Sequence, residues 1–546
     1  MQKYLQSAAA KLLSNEGSMK DYLFGFDQRL EQQIMADEVS NAITDKEVLV
    51  CEAGTGTGKT LGYLTPIFLA KERAIISTAT KALQDQLFYR DIPVVRRAVG
   101  SSKSVALLKG RQNYLCIHRM HESFGDPRID VLKTKLLMKV KEWSLETLTG
   151  DLEELQILKE TSDLKTFITS TTDNCLGTDC PKYGNCHVVN ARKEAVTSDV
   201  VVVNHHLLFA DMALKENGFT ELLPTADIIV LDEAHTLGAY PKPSKRTKLV
   251  KQIILRQNPF VVLMSGTPTP ESFSQIYHQV YACAKNPFSQ YKTFYKFAKE
   301  YVNVTQQMFH SMPSNNYDDG KPEILDRMKP YMISYTQKEA GFKSKIQEHV
   351  LKVQMSELTY KFVKEMSEHG LIEGKKTKEV ILGDTGVKKM SKIHQLFSGT
   401  VKLENGKRMV TDLSKAKFIR TEFKNQKIGI FYKFKAEYEA LKQVYGDALT
   451  DNLKEFDTTS KSIALQIASG REGISLKKAD CLVYYNIDFS ALSYWQSRDR
   501  MTTKDSTASD VYWIFAEKGI ETKIYKKVTK KKDYTLKHFE KDLLSL

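Results

Sequence analysis

Nowhere in the 546-residue chain does an apolar run approach the roughly 18–20 residues that a membrane-spanning helix needs. The opening stretch, MQKYLQSAAAKLLSNEG, also lacks the apolar block of a secretory signal. These absences exclude a helical membrane protein and lead us to expect a cytosolic chain, or one in the host-cell cytoplasm if it is virus-encoded. Internal repeats and low-complexity segments are missing too, which argues against a solenoid or a disordered arm. Cysteine is scarce: there are seven, an odd number. Cys116, Cys175, Cys180 and Cys186 form one group, whereas Cys51, Cys283 and Cys481 stand alone in apolar surroundings. In a reducing compartment a group of this kind points to a metal site rather than to disulfides. Acidic residues are in deficit, 66 against 80 lysines and arginines, a net +14 for which a long polyanion is a natural partner. What is present, 42% apolar and 27% charged residues, is the composition of a globular protein, and the length calls for two or three domains.

The first half alternates short apolar runs with amphipathic stretches, as βαβ units with a parallel sheet do. Glu47–Glu52, Arg73–Ser77, Ser104–Leu108, Asp199–Val203, Asp227–Leu231 and Phe260–Met264 read as buried strands, each leading into a polar loop. Residues 271–420 are lysine-rich and helical in period, and read as an insert or linker. Afterwards strands return at Lys427–Tyr432, Ser462–Ile467, Cys481–Tyr485 and Val511–Phe515, which predicts a second parallel sheet. The tail after Lys523 is basic but carries aromatics and leucines, so a packed terminal helix is expected there. The fold class is therefore α/β, with ligands sought at the carboxyl ends of the strands.

Directly after the first strand stands AGTGTGKT: Ala53, Gly54, Thr55, Gly56, Thr57, Gly58, Lys59 and Thr60. Glycines let such a loop turn its amides toward a phosphate, the lysine reaches the β- and γ-phosphates, and the hydroxyl of Thr60 ligates magnesium. The strict pattern begins with glycine, and Ala53 takes that place. The fifth strand ends in DEAH, where Asp232 suits magnesium and Glu233 suits the attacking water. Together the two motifs describe an ATPase.

These motifs, with SGTPTP at Ser265–Pro270, resemble motifs I, II and III of superfamily 2 helicases, and the cysteine region narrows the resemblance to the DinG/XPD family. LKGRQNYLC ends in Cys116, and CLGTDCPKYGNC supplies Cys175, Cys180 and Cys186 ahead of ARKEAVTSDVVVVNHHLL. The resemblance implies two RecA-like lobes, 1–270 and 421–546, with an iron–sulfur insert at 109–190 and the helical insert before the second. It implies a [4Fe–4S] cluster on the four thiolates; zinc in a Cys₄ site is the physical rival, since ligand count does not separate them. It also implies that Arg29 and Gln32 read adenine, and that Thr78 and Thr80 touch the nucleic-acid strand. Tyr114 and Tyr183, near the cysteines, would either stack on bases or pack in a core.

In the second half, Gln466–Asn486 resembles motif V, which brings Ser469 toward nucleic acid and Gly473 toward nucleotide. Ser493–Asp505 occupies the place of motif VI. There Gln496 and Arg500 match, Asp499 replaces a glycine, and Thr503 stands where the second arginine belongs, so the arginine finger falls to Arg500, with Arg498 as the substitute. Only 30 residues separate His235 from Ser265, so the family's arch domain is absent; a basic stretch, Tyr240–Lys251, stands there as a phosphate contact or a solvated loop. The second half is nearer in flavour to Swi/Snf-type and phage-type helicases. The implied function is an ATP-dependent helicase, monomeric, acting on single-stranded and forked DNA and moving 5′ to 3′. The rivals are a Swi/Snf-like duplex translocase and a non-catalytic nucleic-acid-binding subunit.

Overall fold

The computed structural model describes residues 8–45, 48–54, 57–155, 157–158, 163–216, 222–266, 268–269, 272–281, 283, 285–309, 312–335, 345–373, 380–467, 476–498 and 508–530. Among them no helix is long and apolar enough to cross a membrane. All ten expected strands form, within a few residues of the expected bounds, and they build two all-parallel sheets. The first contains β1 (Val48–Ala53), β2 (Ala74–Thr78), β3 (Val105–Leu107), β4 (Val200–Asn204), β5 (Ile228–Asp232), β6 (Phe260–Ser265) and β7 (Met332–Tyr335), in the order β3-β4-β2-β5-β6-β1-β7. The second contains β8 (Lys345–Val353), β9 (Ile428–Tyr432), β10 (Leu449–Thr450), β11 (Ser462–Gln466), β12 (Cys481–Tyr484) and β13 (Ala508–Ala516), in the order β8-β13-β12-β9-β11-β10. Two parallel sheets of this kind are consistent with two RecA-like lobes.

The interior strands are continuous runs of branched residues because helices cover both faces of each sheet. Val48, Val50, Ile75, Val201 and Ile229 pack on one face of the first sheet, while Leu49, Cys51, Ile76, Val202 and Val230 pack on the other. On that second face lie α1 (Leu30–Asp45) and α2 (Lys59–Leu69). They approach so closely that a Cβ on Gly62 would lie 2.9 Å from Met35 Sδ. Four further helices matter below: α3 (His187–Thr197), α4 (His205–Glu216), α5 (Lys245–Gln257) and α6 (Ala491–Arg498). Ser244 caps α5, its hydroxyl accepting from Thr247 N at 3.1 Å, and Asn258 ends it in the left-handed conformation, φ 44°. The basic Tyr240–Lys251 stretch is thus largely helix rather than loop. The expected terminal helix is α7 (Glu521–Val528), and residues beyond 530 lie outside the description.

The expected helical insert at 271–420 is divided between the sheets instead. β7 extends the first sheet beside β1, and Phe288, Phe297, Ile324 and Met328 join that sheet's core. β8 pairs with β13 over nine residues, and Met366, Ile393, Leu396 and Phe397 join the core of the second sheet. Between β3 and α3 the chain makes an excursion that carries all four grouped cysteines. It has a small core of its own, including Leu115, Met120, Leu137, Val140, Leu164 and Ile168.

Candidate functional site

β1, β5 and β6 are adjacent and in parallel register, with Glu52 opposite Ser265 and Asp232 opposite Met264. Their carboxyl ends therefore bring AGTGTGKT, DEAH and SGT to one edge of the sheet. Ala53 is fully buried as the last residue of β1, and Thr57 closes the loop by donating to Gly54 O at 2.8 Å. Thr55 and Gly56 lie outside the described residues. Gly58 precedes α2 with φ 86°, a conformation that glycine adopts without strain. Its carbonyl accepts from Gln32 Nε2 at 2.8 Å, and a Cβ there would come within 2.3 Å of that nitrogen and 3.7 Å of the Arg29 guanidinium. So Arg29 and Gln32, a little ahead of and early in α1, stand against the phosphate loop. Lys59 reaches across the strand tops: a Cβ on Gly266 would lie 3.9 Å from its Nζ. Thr60 follows in the first turn of α2.

Glu233 takes the left-handed conformation, φ 62° and ψ 44°, unusual for a residue with a side chain. His235 Nδ1 lies 3.2 Å from the Glu233 carboxylate and 3.2 Å from Ser265 Oγ, tying DEAH to SGT. A second histidine, to which the sequence assigned no role, ties DEAH to β2 from the other side. His205, at the end of β4, sits with Nδ1 2.7 Å from Ser77 Oγ and Nε2 2.6 Å from Asp232 O. Burial lowers its pKa to about 4, so the ring is neutral near pH 7. A carbonyl only accepts; Nε2 therefore carries the proton and Nδ1 accepts from the Ser77 hydroxyl. The available signal was the polar NHH at a strand end.

Two expected strand contacts are engaged internally. Thr78 is fully buried and donates to Thr80 O at 3.1 Å, which leaves it no surface for a nucleic-acid strand. Thr80 caps the helix Lys81–Asp85, its hydroxyl accepting from Leu83 N at 3.3 Å. Tyr114 is likewise 4% exposed, its hydroxyl accepting from Lys109 N at 3.0 Å, so it belongs to the core; Tyr183 is 37% exposed.

Cys116, Cys175, Cys180 and Cys186 are free, half-buried and line one cavity of about 210 Å³. Cys116 and Cys186 each immediately precede a helix, Ile117–Ser123 and α3. Burial raises the Cys116 thiol, and the charges of Cys186, Cys180 and Cys175 act in the same direction. Among the described residues, no three of these sulfurs come within 4.8 Å of one another. Tetrahedral zinc, with Zn–S near 2.3 Å, would need them about 3.8 Å apart. Arg111 and Arg192 line the same cavity. Burial lowers the Arg192 guanidinium, as does Arg111, while Cys175 and Cys186 pull it back up.

At the second sheet α6 carries the start of the segment expected to be motif VI, but the side chains of Gln496 and Arg498 and all of Arg500, Ser469 and Gly473 lie outside the described residues. What fixes α6 is clear. Tyr494 donates to both oxygens of Glu348, on β8, at 2.7 and 2.8 Å, and Trp513 Nε1 and Tyr525 Oη donate to the same carboxylate at 2.9 Å. Ser493 donates to Asp488 at 3.0 Å, and Tyr484 to Ser497 at 2.7 Å.

The sequence matches the SNF2-related domain family over residues 53–409, well over half of the chain. The chain belongs to the SNF2-related domain family. This match begins at Ala53, the last residue of β1, takes in the other strands of the first sheet and β8, and ends before β9, whereas the Swi/Snf flavour was expected in the second half. The SNF2-related chain is also similar to the ATP-dependent DNA helicase YoaA of Haemophilus influenzae, 48% identical over 233 residues, 42% of this chain and 36% of that protein. YoaA of Escherichia coli is 49% identical over 225 residues, 41% and 35% of the two chains. The ATP-dependent helicase DinG of Mycobacterium tuberculosis is 35% identical over 238 residues, 39% and 35%. The chain thus spans about a third of the length of these relatives and is related to superfamily 2 helicases of the DinG/YoaA type. Among solved structures it resembles the Sulfolobus solfataricus SWI2/SNF2 ATPase core in complex with dsDNA, at TM-score 0.34 and 12% identity, covering 92% of this chain and 91% of that one. The DUF1998 helicase MrfA bound to DNA and AMPPNP matches at TM-score 0.43 and 12% identity, covering 94% and 52%.

Proposed function

We propose that the protein is an ATP-dependent DNA helicase of the DinG/YoaA type, which moves along single-stranded DNA, 5′ to 3′, and parts duplex by hydrolysing ATP. The observation that carries this reading is the convergence of Lys59, Asp232, Glu233 and Gly266 at three adjacent strand ends, with Arg29 and Gln32 against the same loop. In this reading the loop amides and Lys59 hold the phosphates, Thr60 and Asp232 hold magnesium, and Glu233 orients the attacking water. His235 and His205 keep the two acidic residues in place, and Gln32 with Arg29 sits beside the nucleotide. Arg500, or Arg498 in its stead, neutralises charge on the γ-phosphate from the second lobe, with Gln496 beside it and Gly473 and Ser469 in the facing loop. The nucleic-acid contact near β2 falls to Thr80 and its backbone.

In this reading Cys116, Cys175, Cys180 and Cys186, which line one cavity with Arg111 and Arg192, would hold a [4Fe–4S] cluster whose net negative charge the two arginines offset. The cluster would supply a rigid anchor for the excursion, since strand separation requires no electron transfer. We assign the two lobes to residues 8–335 and 345–530, a division that the membership of the two sheets supports. A monomer working in the cytosol on forked DNA completes the proposal. The family match favours one second reading, an SNF2-like translocase that follows duplex DNA without separating it. A forked-duplex assay decides: strand release that needs ATP and is lost in Lys59→Ala supports the helicase, and ATP hydrolysis with movement but no release supports the translocase. Absence of DNA-stimulated hydrolysis in the wild type would leave only a binding subunit.

A further inference from the structure

Between Ala234 and Lys299 the sequence holds ten lysines and arginines and a single acidic residue, Glu271. Nine of the chain's fourteen net positive charges thus fall in 66 residues. Much of that charge sits on α5, which contains no aspartate or glutamate and leaves Lys245, Arg246, Lys248 and Arg256 exposed, the opposite side, Val250, Ile253 and Ile254, being buried in the sheet's core. Because α5 joins the carboxyl end of β5 to the amino end of β6, it runs back along the flank of the sheet, away from the nucleotide edge. Beside it opens a cleft of about 310 Å³ lined by Lys251 and Leu255 of α5 and by Tyr277, Tyr281, Tyr291 and Lys292 among others. Lys251 Nζ stands 3.6 Å over the centre of the Tyr281 ring.

We propose that α5 and this cleft form a second contact surface for single-stranded nucleic acid, lying apart from the strand ends where ATP would be held. The inference rests on the DNA-directed reading above. Clustered cations without intervening carboxylates are the footprint of a phosphate chain. An ordinary solvated helix face mixes both signs, and this one does not. The cleft adds a feature that duplex binding does not use: aromatic faces at the foot of a basic ridge receive bases that have left the stack. Lys251, on its flexible stem, covers Tyr281 in the free protein. On binding, its ammonium passes to a phosphate and frees the ring face for a base, while exposed Lys248 and Lys292 take neighbouring phosphates.

The test uses the full chain and a labelled oligothymidylate, with affinity read by fluorescence anisotropy over a series of salt concentrations. Lys248→Ala/Lys292→Ala should lower the slope of log affinity against log salt by about 1.4, two contacts at roughly 0.7 each for a single strand. Tyr281→Ala should weaken binding roughly fivefold or more, and Tyr281→Phe should restore it, because stacking needs the ring and not the hydroxyl. Basal ATP hydrolysis stays unchanged in all three, and thermal melts check their folding. If the wild type binds the oligonucleotide and the variants bind it with the same affinity and slope, the surface is only a solvated basic face, and the DNA-directed ATPase reading stands. A loss confined to a hairpin duplex probe overturns the single-strand assignment. No oligonucleotide binding by the wild type overturns both.

Discussion

At Gly58, backbone and side-chain requirements meet in one atom's position. The φ of 86° costs an L-residue on the order of 1–2 kcal/mol, and a methyl group there would collide with Gln32 Nε2 at 2.3 Å. Gly58→Ala should therefore displace Gln32 and reduce ATP affinity at least tenfold by calorimetric titration; unchanged affinity would mean that Gln32 does not support the phosphate loop. His205 is the other residue whose surroundings set a measurable quantity. Its ordinary pKa of 6.5 falls to about 4 because burial disfavours the imidazolium. The folded state then binds fewer protons than the unfolded one between these values. Its contribution is fully present above pH 6.5 and is lost as pH falls through 4, about 3 kcal/mol in all. Urea melts from pH 4.5 to 7.5 should show that slope in the wild type and a shallower one in His205→Ala. The variant should also be less stable at pH 7, since Ser77 Oγ and Asp232 O lose a buried partner at about 1–3 kcal/mol each. The role of His205 could not be read from sequence: Ser77, His205 and Asp232 lie far apart in the chain, and only the parallel order β4-β2-β5 makes them neighbours.

Among elements, the attachment of the cysteine-bearing excursion to the first sheet depends on Lys109. Its side chain is 1% exposed, and Nζ lies 2.7 Å from Asp85, 2.6 Å from Asp151 and 2.8 Å from Glu153, the last also 3.8 Å from Lys81. Asp85 ends the short helix after β2, whereas Asp151 and Glu153 belong to the excursion. One buried ammonium facing three carboxylates leaves an excess of negative charge. Burial and a hydrogen bond to Glu153 raise Asp85 to about 7 against the pull of Lys109, while Glu153 is held low. A carboxyl raised in the folded state stabilises it at low pH, and that contribution is lost as pH rises through about 7. Amides near residues 150–153 should thus exchange faster at pH 8 than at pH 6, beyond the intrinsic rate, and Asp85→Asn should flatten the difference. Lys109→Met, which strands the carboxylates, should cost about 3–5 kcal/mol in a denaturant melt. The limits of the sequence show here too. Interior strands announced themselves as branched apolar runs, but β7 (MISY) and β8 (KIQEHVLKV) are edge strands with polar residues interspersed, and they were absorbed into a lysine-rich stretch of helical period. Of the candidate sites, the strand-end loops were legible because their residues are local in sequence, and the cysteines because of their grouping. The burial of Thr78 and Tyr114 was not, since it depends on what packs above them.

Over the whole molecule, the SNF2-related match ends at residue 409, so it takes in β8 of the second sheet but not β9 to β13. Modularity has a direct test in the cysteine excursion. Its core of Leu115, Leu137, Val140 and Ile168 is separate from the two cores that clasp the first sheet, and the residues at the ATP edge draw nothing from it. Loss of the metal group should therefore loosen the excursion and leave the nucleotide site standing. Protein purified without oxygen should carry about four irons per chain, and Cys180→Ser should lose them. In that variant, limited proteolysis should cut between Cys116 and Cys186, ATP affinity should stay close to the wild-type value, and forked duplex should no longer be parted. Stoichiometric zinc in the wild type would refute the cluster. Loss of ATP binding together with iron would refute the modularity, because the separate cores would then not insulate one site from the other.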